Sequence, residues 1–207
     1  RKVVAEKEFN QATHELKTVS AEEEPLSLIV KSKRAKLEEK RSASQSAISQ
    51  STVFQALTSL KREGIYGRLG DLGAIDDKFD CAITTACPQL SYLVVDTVQT
   101  AQYCIDHLKK NSIGRVTCIC LDKQAHLEKY ANAPFSAPAG TDRIFDLVRI
   151  KDAKYKTAFY FALRDTLVAS NLDTATKVAY AGKSAKYRVV TLEGQLIDTS
   201  GTMSGGG

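Results

Sequence analysis

The chain has 207 residues, of which 43% are hydrophobic and 26% are charged, and its formal net charge at pH 7 is +5. This composition is ordinary for a globular protein and excludes a collagen-like chain, a fully disordered chain and a small disulfide-stapled protein. The longest uncharged run, residues 42–60, is rich in serine and glutamine, so we expect no membrane-spanning helix.

The excess of positive charge lies in the N-terminal third. Residues 1–62 hold 12 basic and 8 acidic residues, whereas the rest of the chain holds 17 and 16. The densest basic group is Lys31, Lys33, Arg34 and Lys36, and a basic surface of this kind suits a polyanion such as DNA. A solvated helix face is the alternative that composition leaves equally open.

The same N-terminal third carries a heptad pattern. Steps of three and four residues from Phe9 to Leu37 give nine positions, seven of which are apolar, with Glu and Lys between them. This pattern predicts a helical coiled-coil segment over residues 1–62, and Pro25 predicts a break or kink within it. An amphipathic helix packed on a globular core would give a similar pattern.

Glycines follow the helical segment at a period of three, at Gly64, Gly67, Gly70 and Gly73. Such a run predicts a chain that turns repeatedly or that lets another backbone come close, so we expect these four glycines to be structural. Lys61 and Arg62 precede them and suit the last turn of a helix, whose C-terminal end carries partial negative charge.

From Asp77 onward the pattern predicts a mixed α/β fold. The predicted elements in chain order are a helix over Asp77–Ala86, a strand over Tyr92–Val95, a helix from Asp96 to Lys110, a strand over Val116–Leu121, a strand over Phe159–Val168, a helix from Ser170 to Ala181, and a hairpin of Tyr187–Leu192 and Gln195–Asp198. An offset of 73 residues aligns the first strand–helix–strand series with the second, for example Val94 with Leu167. This repeat predicts two similar half-domains, each a small sheet with helices.

No arrangement of residues in the sequence predicts catalysis or metal binding. The five cysteines form no Cys-x-x-Cys pair and have no histidine at ligand spacing, so we expect no metal site. Gly182-Lys-Ser184 resembles the end of a phosphate-binding loop, but Lys177 stands where that loop needs a glycine. We therefore expect no cofactor and no enzymatic activity, although a stand-alone α/β enzyme stays as an alternative.

Several segments together resemble the hinge domain of structural maintenance of chromosomes (SMC) proteins. They are Gly67-Arg-Leu-Gly-Asp-Leu-Gly73 with Ile75-Asp-Asp77, Val94-Val-Asp-Thr97, Leu121-Asp122, Phe161-Ala-Leu-Arg-Asp-Thr-Leu-Val168 and Gly201-Thr-Met-Ser-Gly-Gly-Gly207. The resemblance covers residues 63–207 and is closest to the larger condensin SMC subunit of eukaryotes.

The resemblance implies an SMC hinge fold. This is an α/β (α+β) domain of two similar subdomains, here near residues 63–140 and 141–207, preceded by a coiled-coil arm over residues 1–62. It implies heterodimerisation with the hinge of the other condensin SMC subunit, which closes the ring used in mitotic chromosome condensation. The parent protein would be an ATPase through head domains outside this chain. The implied location is the nucleus and the chromosome, with the cytoplasm also open.

The resemblance also implies two sets of contact residues. The residues expected at the partner contact are Gly201, Gly205, Gly206, Val189 and Val190. Weak DNA binding without sequence specificity is implied at the junction of hinge and arm, where Lys61 and Arg62 lie. Two further alternatives stay open, namely a cohesin-like hinge and a nucleic-acid-binding module whose dimerisation is incidental.

Overall fold

A computed structural model describes residue 13 and residues 25–38, 51–181 and 186–205 of the chain. The chain divides into two compact units, Arg1–Ser51 and Thr52–Gly207. In the first unit, residues 25–38 are helical and all of their side chains are exposed. Apart from residue 13, the residues before Pro25 lie outside the described part, and so does the predicted break on that side. Within the described residues, no helix is both long and apolar enough to span a bilayer.

The second unit begins within the predicted arm. Residues 51–59 form a helix, α1, and its side chains Val53, Phe54 and Leu57 are buried. Apolar burial of this kind fixes a helix to the domain against which it packs. From Thr52 onward, α1 therefore belongs to the second compact unit.

Ten short strands and seven further α-helices follow α1 in the described residues. The strands are β1 (Ile65–Arg68), β2 (Gly73–Ala74), β3 (Leu93–Val95), β4 (Cys118–Cys120), β5 (Thr141–Arg143), β6 (Arg149–Ile150), β7 (Leu167–Ala169), β8 (Val189–Thr191), β9 (Leu196–Ile197) and β10 (Met203–Ser204). The helices are α2 (Asp80–Ala86), α3 (Val98–Lys110), α4 (Leu121–Gln124), α5 (Glu128–Ala131), α6 (Ile144–Leu147), α7 (Lys156–Leu163) and α8 (Leu172–Ala179). The predicted mixed helix and strand architecture is confirmed.

The strands form two main sheets with the same core topology. The first has the order β1-β3-β4, the second β5-β7-β8-β9-β10, and β2 pairs with β6 in a small third sheet. In both main sheets the first strand is antiparallel to the second, and the second is parallel to the third. Helix α3 connects β3 to β4 and α8 connects β7 to β8, so the predicted repeat exists as two β-α-β units.

At the first strand of the repeat, the observed register differs from the predicted one by one residue. Leu93 pairs with Cys118 in the first sheet and Leu167 pairs with Val189 in the second, so Leu93 and Leu167 are equivalent. The sequence alignment instead matched Val94 to Leu167. Because side chains alternate along a strand, a shift of one residue exchanges the two faces of the sheet.

One predicted strand is a helix. The apolar stretch Phe159–Val168 was predicted to be extended, but α7 ends at Leu163 and β7 begins only at Leu167. Five of the eight residues of α7 are buried, so the helix is apolar around most of its circumference. A helix of this kind lacks the amphipathic pattern that distinguishes a helix from a buried strand in a sequence.

The two half-domains share one core. Its buried members include Leu69 and Val94 from the first half and Phe159 and Val190 from the second. A polar contact also joins the halves, since the Arg188 guanidinium donates to the Ala86 carbonyl oxygen at 2.7 Å. The predicted division near residue 140 therefore separates two topological repeats within one packed unit.

Candidate functional site

The two main sheets end in four edge strands, and two of these are obstructed. In β1 the pairing register shifts between Ile65 and Gly67, which marks a bulge, and Gly67 has a φ of +115°. In β5 the Arg143 side chain points inward and is only 5% exposed. Bulges and inward-pointing charges are both features that prevent a further strand from pairing with an edge.

The Arg143 guanidinium is held in place on several sides. It donates from Nε and Nη2 to the Asp146 carboxylate at 2.8 and 2.6 Å, and from Nη1 to Asp165 at 3.0 Å. Its Cζ lies 4.6 Å from the ring centroid of Phe135 and 5.2 Å from that of Phe145. Bidentate pairing and ring contacts together compensate the burial of this charge.

Strand β4 is an open edge, which here means an unobstructed strand with a strand neighbour on one side only among the described residues. Its counterpart in the second sheet, β8, has β7 on one side and β9 on the other. The Leu93 amide donates to the Thr117 carbonyl oxygen at 2.9 Å. The backbone N–H and C=O of Thr117 and of Ile119 therefore point towards β3. Because these directions alternate, the amides of Cys118 and Cys120 point towards the open side.

Strand β10 is the second open edge. Among the described residues it pairs with β9 alone, with Met203 opposite Ile197 and Ser204 opposite Leu196. The Asp198 amide donates to the Thr202 carbonyl oxygen at 2.9 Å. By the alternation of an antiparallel ladder, the amide of Met203 points away from β9. The Met203 side chain is 53% exposed, which is unusual for a large apolar residue in a strand.

The five predicted partner residues have different environments. Val189 and Val190 are 0% exposed and lie in β8, which has neighbours on both sides, so these two predictions are corrected and the residues leave the candidate surface. Gly201 has a φ of +87° in the turn before β10 and no neighbouring atom near its missing Cβ. Gly206 lies outside the described residues.

Gly205 directly follows β10 and packs against its own chain. A Cβ at this position would lie 2.8 Å from Cγ and 3.2 Å from Cα of Gln195. The absence of a side chain at Gly205 therefore already has a reason within one chain. A larger residue there would disturb β10 itself, so substitution of Gly205 is a poor test of partner contact.

The four predicted structural glycines have different environments. Gly64 has a φ of +88°, and Asp96 fills the space where a side chain would lie. A Cβ at Gly73 would lie 2.7 Å from the Phe159 ring, so this glycine allows close packing in the shared core. Gly67 needs its positive φ at the bulge. Gly70 is the exception, since its Cβ would make only an ordinary contact at 3.4 Å.

The end of α1 carries the predicted junction cations. Lys61 has a φ of +45° and Arg62 follows it, and both side chains are exposed. The Arg62 Cζ lies 4.0 Å from the ring centroid of Tyr103 on α3, and that ring stacks on His107 with 6.5 Å between centroids. We call Lys61, Arg62, Tyr103 and His107 the junction patch. The other predicted DNA contacts, Lys31, Lys33, Arg34 and Lys36, are exposed on the helix over residues 25–38.

The cysteines are thiols, and the described residues contain no group that could hold a metal. Burial raises the pKa of Cys87 to about 11 and that of Cys118 to about 12. Such thiols are protonated at neutral pH and react slowly as nucleophiles. This chemistry suits the packing role that the sequence indicated for Cys118.

Sequence reasoning missed the residues that define the edges. Met203 was part of a quoted segment, but its exposure depends on the strand order. Cys118 and Cys120 flank Ile119 in an alternating pattern, which indicates a strand and does not reveal which side of that strand is open. Nothing in the sequence pattern indicated that Arg143 is buried, because a basic residue in a short strand is usually solvent-exposed.

Both a protein-family model and the sequences of known proteins match this chain. A family model of the SMC protein flexible hinge domain matches residues 62–179. The chain is 47% identical over 206 residues to structural maintenance of chromosomes protein 4 of Saccharomyces cerevisiae, covering 98% of this chain and 14% of that protein. It is 52% identical over 176 residues to the protein of the same name from Homo sapiens, covering 83% of this chain and 14% of that protein.

Two solved structures have the same fold. A Geobacillus stearothermophilus SMC hinge domain, crystallised as an asymmetric dimer, is 32% identical with a TM-score of 0.58, covering 70% of this chain and 60% of that chain. A Pyrococcus furiosus Smc hinge domain with an extended coiled coil is 28% identical with a TM-score of 0.63, covering 82% of this chain and 60% of that chain.

Proposed function

Since the chain belongs to the family of SMC hinge domains, we propose that it joins two SMC subunits by pairing its two open edges with those of a second hinge. The observation that carries this proposal is the pair of open edges, β4 in the first sheet and β10 in the second. An open edge presents unpaired backbone donors and acceptors, and a strand from another molecule can extend the sheet there.

The arrangement of the edges supports two contacts between the same two molecules. Strand β4 of the first sheet corresponds to β8 of the second sheet. Strand β8 pairs with β9 on its outer side, whereas β4 has no such outer neighbour among the described residues. Strand β10 of the second sheet has no strand on its outer side among the described residues. If β10 of each hinge pairs with β4 of the other, both sheets are completed at once and no open edge is left over. Such a closed arrangement stops at two subunits.

The partner we propose is the hinge of the other condensin SMC subunit. Support comes from the matches to structural maintenance of chromosomes protein 4 from yeast and human, at 47% and 52% identity. The chain spans 14% of the length of these relatives, so ring closure in chromosome condensation and a nuclear, chromosomal location are proposals for the whole protein. The hinge itself is non-catalytic, and we expect no turnover by this chain.

The experiment that tests this function is a mass measurement on mixtures. The 207-residue chain, alone and mixed with the hinge of the other condensin SMC subunit, is passed through a sizing column with light scattering. We expect a one-to-one complex at micromolar concentration, and we expect cohesin SMC hinges to bind more weakly. Separate monomers in the condensin mixture would contradict the proposal.

A second candidate function is weak nucleic-acid binding at the junction patch. The observation that favours it is the Arg62 guanidinium stacked 4.0 Å from the exposed Tyr103 ring, next to His107. Lys109 and Lys110 lie in the last turn of the same helix, α3. Exposed aromatic rings stack on bases while nearby cations neutralise phosphates, and this combination tolerates any sequence.

A further inference from the structure

Helix α1, which leads into the hinge, packs on the first sheet, whose outer strand β4 is one of the two open edges. Helix α1 contributes Val53, Phe54 and Leu57 to a buried cluster, which we call the junction cluster. Leu93 and Val95 of β3 belong to the same cluster. Members of this cluster from α1 are 9% exposed or less, so they cannot contact a partner directly.

The junction cluster extends to the open edge itself. Cys118 and Cys120 of β4 pack against it, while Ile119 between them faces the core shared by both half-domains. Cys104 of α3 is a buried member of the cluster and lies close enough to Cys118 to raise its pKa further, after burial. One face of β4 therefore packs against a cluster to which α1 and α3 both contribute side chains.

Among the described residues, the corresponding cluster of the second sheet holds no side chain from a helix that precedes its first strand. This cluster contains residues of β7, β8, β9 and α8, such as Leu167, Ile197 and Val178, with Phe135 and Tyr187 packed at its side. Strand β8 is fixed by β7 and β9, one on each side. Strand β4 has only β3 beside it, so its position depends more on the side chains packed against its face.

We propose that Val53, Phe54 and Leu57 are positioning residues for the partner strand, so that docking of α1 and binding of the partner at β4 strengthen each other. This inference rests on the proposed function. Packing α1 against the sheet holds β4 at the spacing and twist that a partner strand requires. Because coupling between two sites is reciprocal, a partner strand at β4 stabilises the docked state of α1 in turn.

The test compares two buried leucines in different clusters. Leu57 and Leu163 are each 1% exposed, but Leu57 lies in the junction cluster and Leu163 in the shared core. Affinity for the partner hinge is measured by titration calorimetry for Leu57→Ala and Leu163→Ala, together with the melting temperature of each. We expect Leu57→Ala to weaken partner binding about tenfold, and Leu163→Ala to change it less than about threefold at a similar loss of melting temperature. Equal effects of the two variants on affinity would overturn the inference.

A milder variant and a second measurement keep the test decisive if Leu57→Ala folds poorly. Val53→Ala removes less volume from the same cluster and should weaken partner binding in the same direction. In the unaltered chain, saturation with the partner hinge should slow amide hydrogen exchange in α1 at least fivefold. Unchanged exchange in α1 would overturn the inference.

A variant of the edge itself separates failure of the inference from failure of the proposed function. Cys118→Pro removes an amide that points to the open side of β4. If Cys118→Pro weakens partner binding and Leu57→Ala does not, the edge pairing stands and the positioning role is wrong. If Cys118→Pro binds the partner as well as the unaltered chain does, the proposed use of β4 is itself wrong.

Discussion

The Asp96 carboxylate occupies the space in which any residue other than glycine at position 64 would carry its side chain. A Cβ at Gly64 would lie 2.5 Å from Cγ of Asp96, and the Asp96 amide donates to the Gly64 carbonyl oxygen at 2.9 Å. Asp96 directly follows β3 and Gly64 directly precedes β1, so this contact joins the start of the first sheet to the end of its central strand. The sequence indicated a structural role for Gly64, and the contact gives the reason.

Gly64→Ala should therefore destabilise the hinge. The positive φ of +88° alone costs an alanine about 1–2 kcal/mol, and displacement of the Asp96 carboxylate adds to this cost. We expect a decrease in melting temperature of about 5 °C or more, measured by circular dichroism. Gly70→Ala is the matched control, since a Cβ there meets its nearest atom at 3.4 Å. A control that melts as low as Gly64→Ala would contradict this explanation.

Asp96 should also make the stability depend on pH in the acid range. The Thr100 hydroxyl and then the Thr97 amide, at 2.6 Å, donate to this carboxylate and lower its pKa below the usual 3.8. A lowered pKa in the folded state means that the stabilisation is present above the pKa of the unfolded chain. It is lost as the pH falls through the folded pKa.

Asp96→Asn isolates this contribution, because an asparagine oxygen can still accept from Thr97 but does not titrate. We expect the difference in melting temperature between the unaltered chain and Asp96→Asn to be largest above about pH 5 and to shrink steadily towards pH 2. A difference that stays constant over this range would contradict the assigned cause of the pKa shift.

Thiol alkylation should report both burial and partner binding. Cys81 is exposed, whereas the pKa values of Cys87 and Cys118 are raised by burial to about 11 and about 12. We expect iodoacetamide at pH 8 to label Cys81 at least tenfold faster than Cys87 or Cys118, as followed by peptide mass spectrometry. Addition of the partner hinge should slow labelling of Cys118 and leave Cys81 unchanged. Equal protection of both thiols would argue against a partner at β4.

Nucleic-acid binding should depend on the junction patch more than on the N-terminal helix. Lys61→Glu with Arg62→Glu should weaken binding of a labelled single strand and lower the salt slope of the affinity by about 1.4, since each phosphate contact on single strands contributes about 0.7. Tyr103→Leu should weaken it without changing the slope. The matched control is Lys31→Glu with Lys33→Glu, on the helix over residues 25–38. Loss of binding in the control alone would contradict the role of the junction.

The sequence predicts the repeated β-α-β units because a strand, a helix and a strand recur at an offset of 73 residues. It does not fix their register, because Leu93-Val-Val95 and Leu167-Val-Ala169 are apolar at every position. With no polar position to mark a face, the match of Val94 to Leu167 was as plausible as the observed match of Leu93 to Leu167. The two helices were predicted to begin at Asp96 and Ser170, but their N-caps are Thr97 and Asn171, whose side chains accept from the backbone amides of Thr100 and Thr174.

The sequence predicts even less of the candidate surface. Val189 and Val190 have the composition of an interface strand, but their exposure depends on β9 and β7 on either side of β8. Whether an edge is open is a property of strand order, and strand order results from contacts between distant segments. The segment around Met203 was identified by resemblance, and only the described pairing with β9 indicates which of its amides points outward.

The two open edges, β4 and β10, should each bind the partner hinge. Met203→Pro and Cys118→Pro each remove one amide that points to an open side, and Met203→Ala and Cys118→Ala are controls that keep the amide. The direct measurement is the affinity of these variants for the partner hinge by sedimentation velocity. We expect each proline variant to bind at least tenfold more weakly than its alanine control, and the double proline variant to remain monomeric at micromolar concentration. A double proline variant that still forms the one-to-one complex with unchanged affinity would contradict the account.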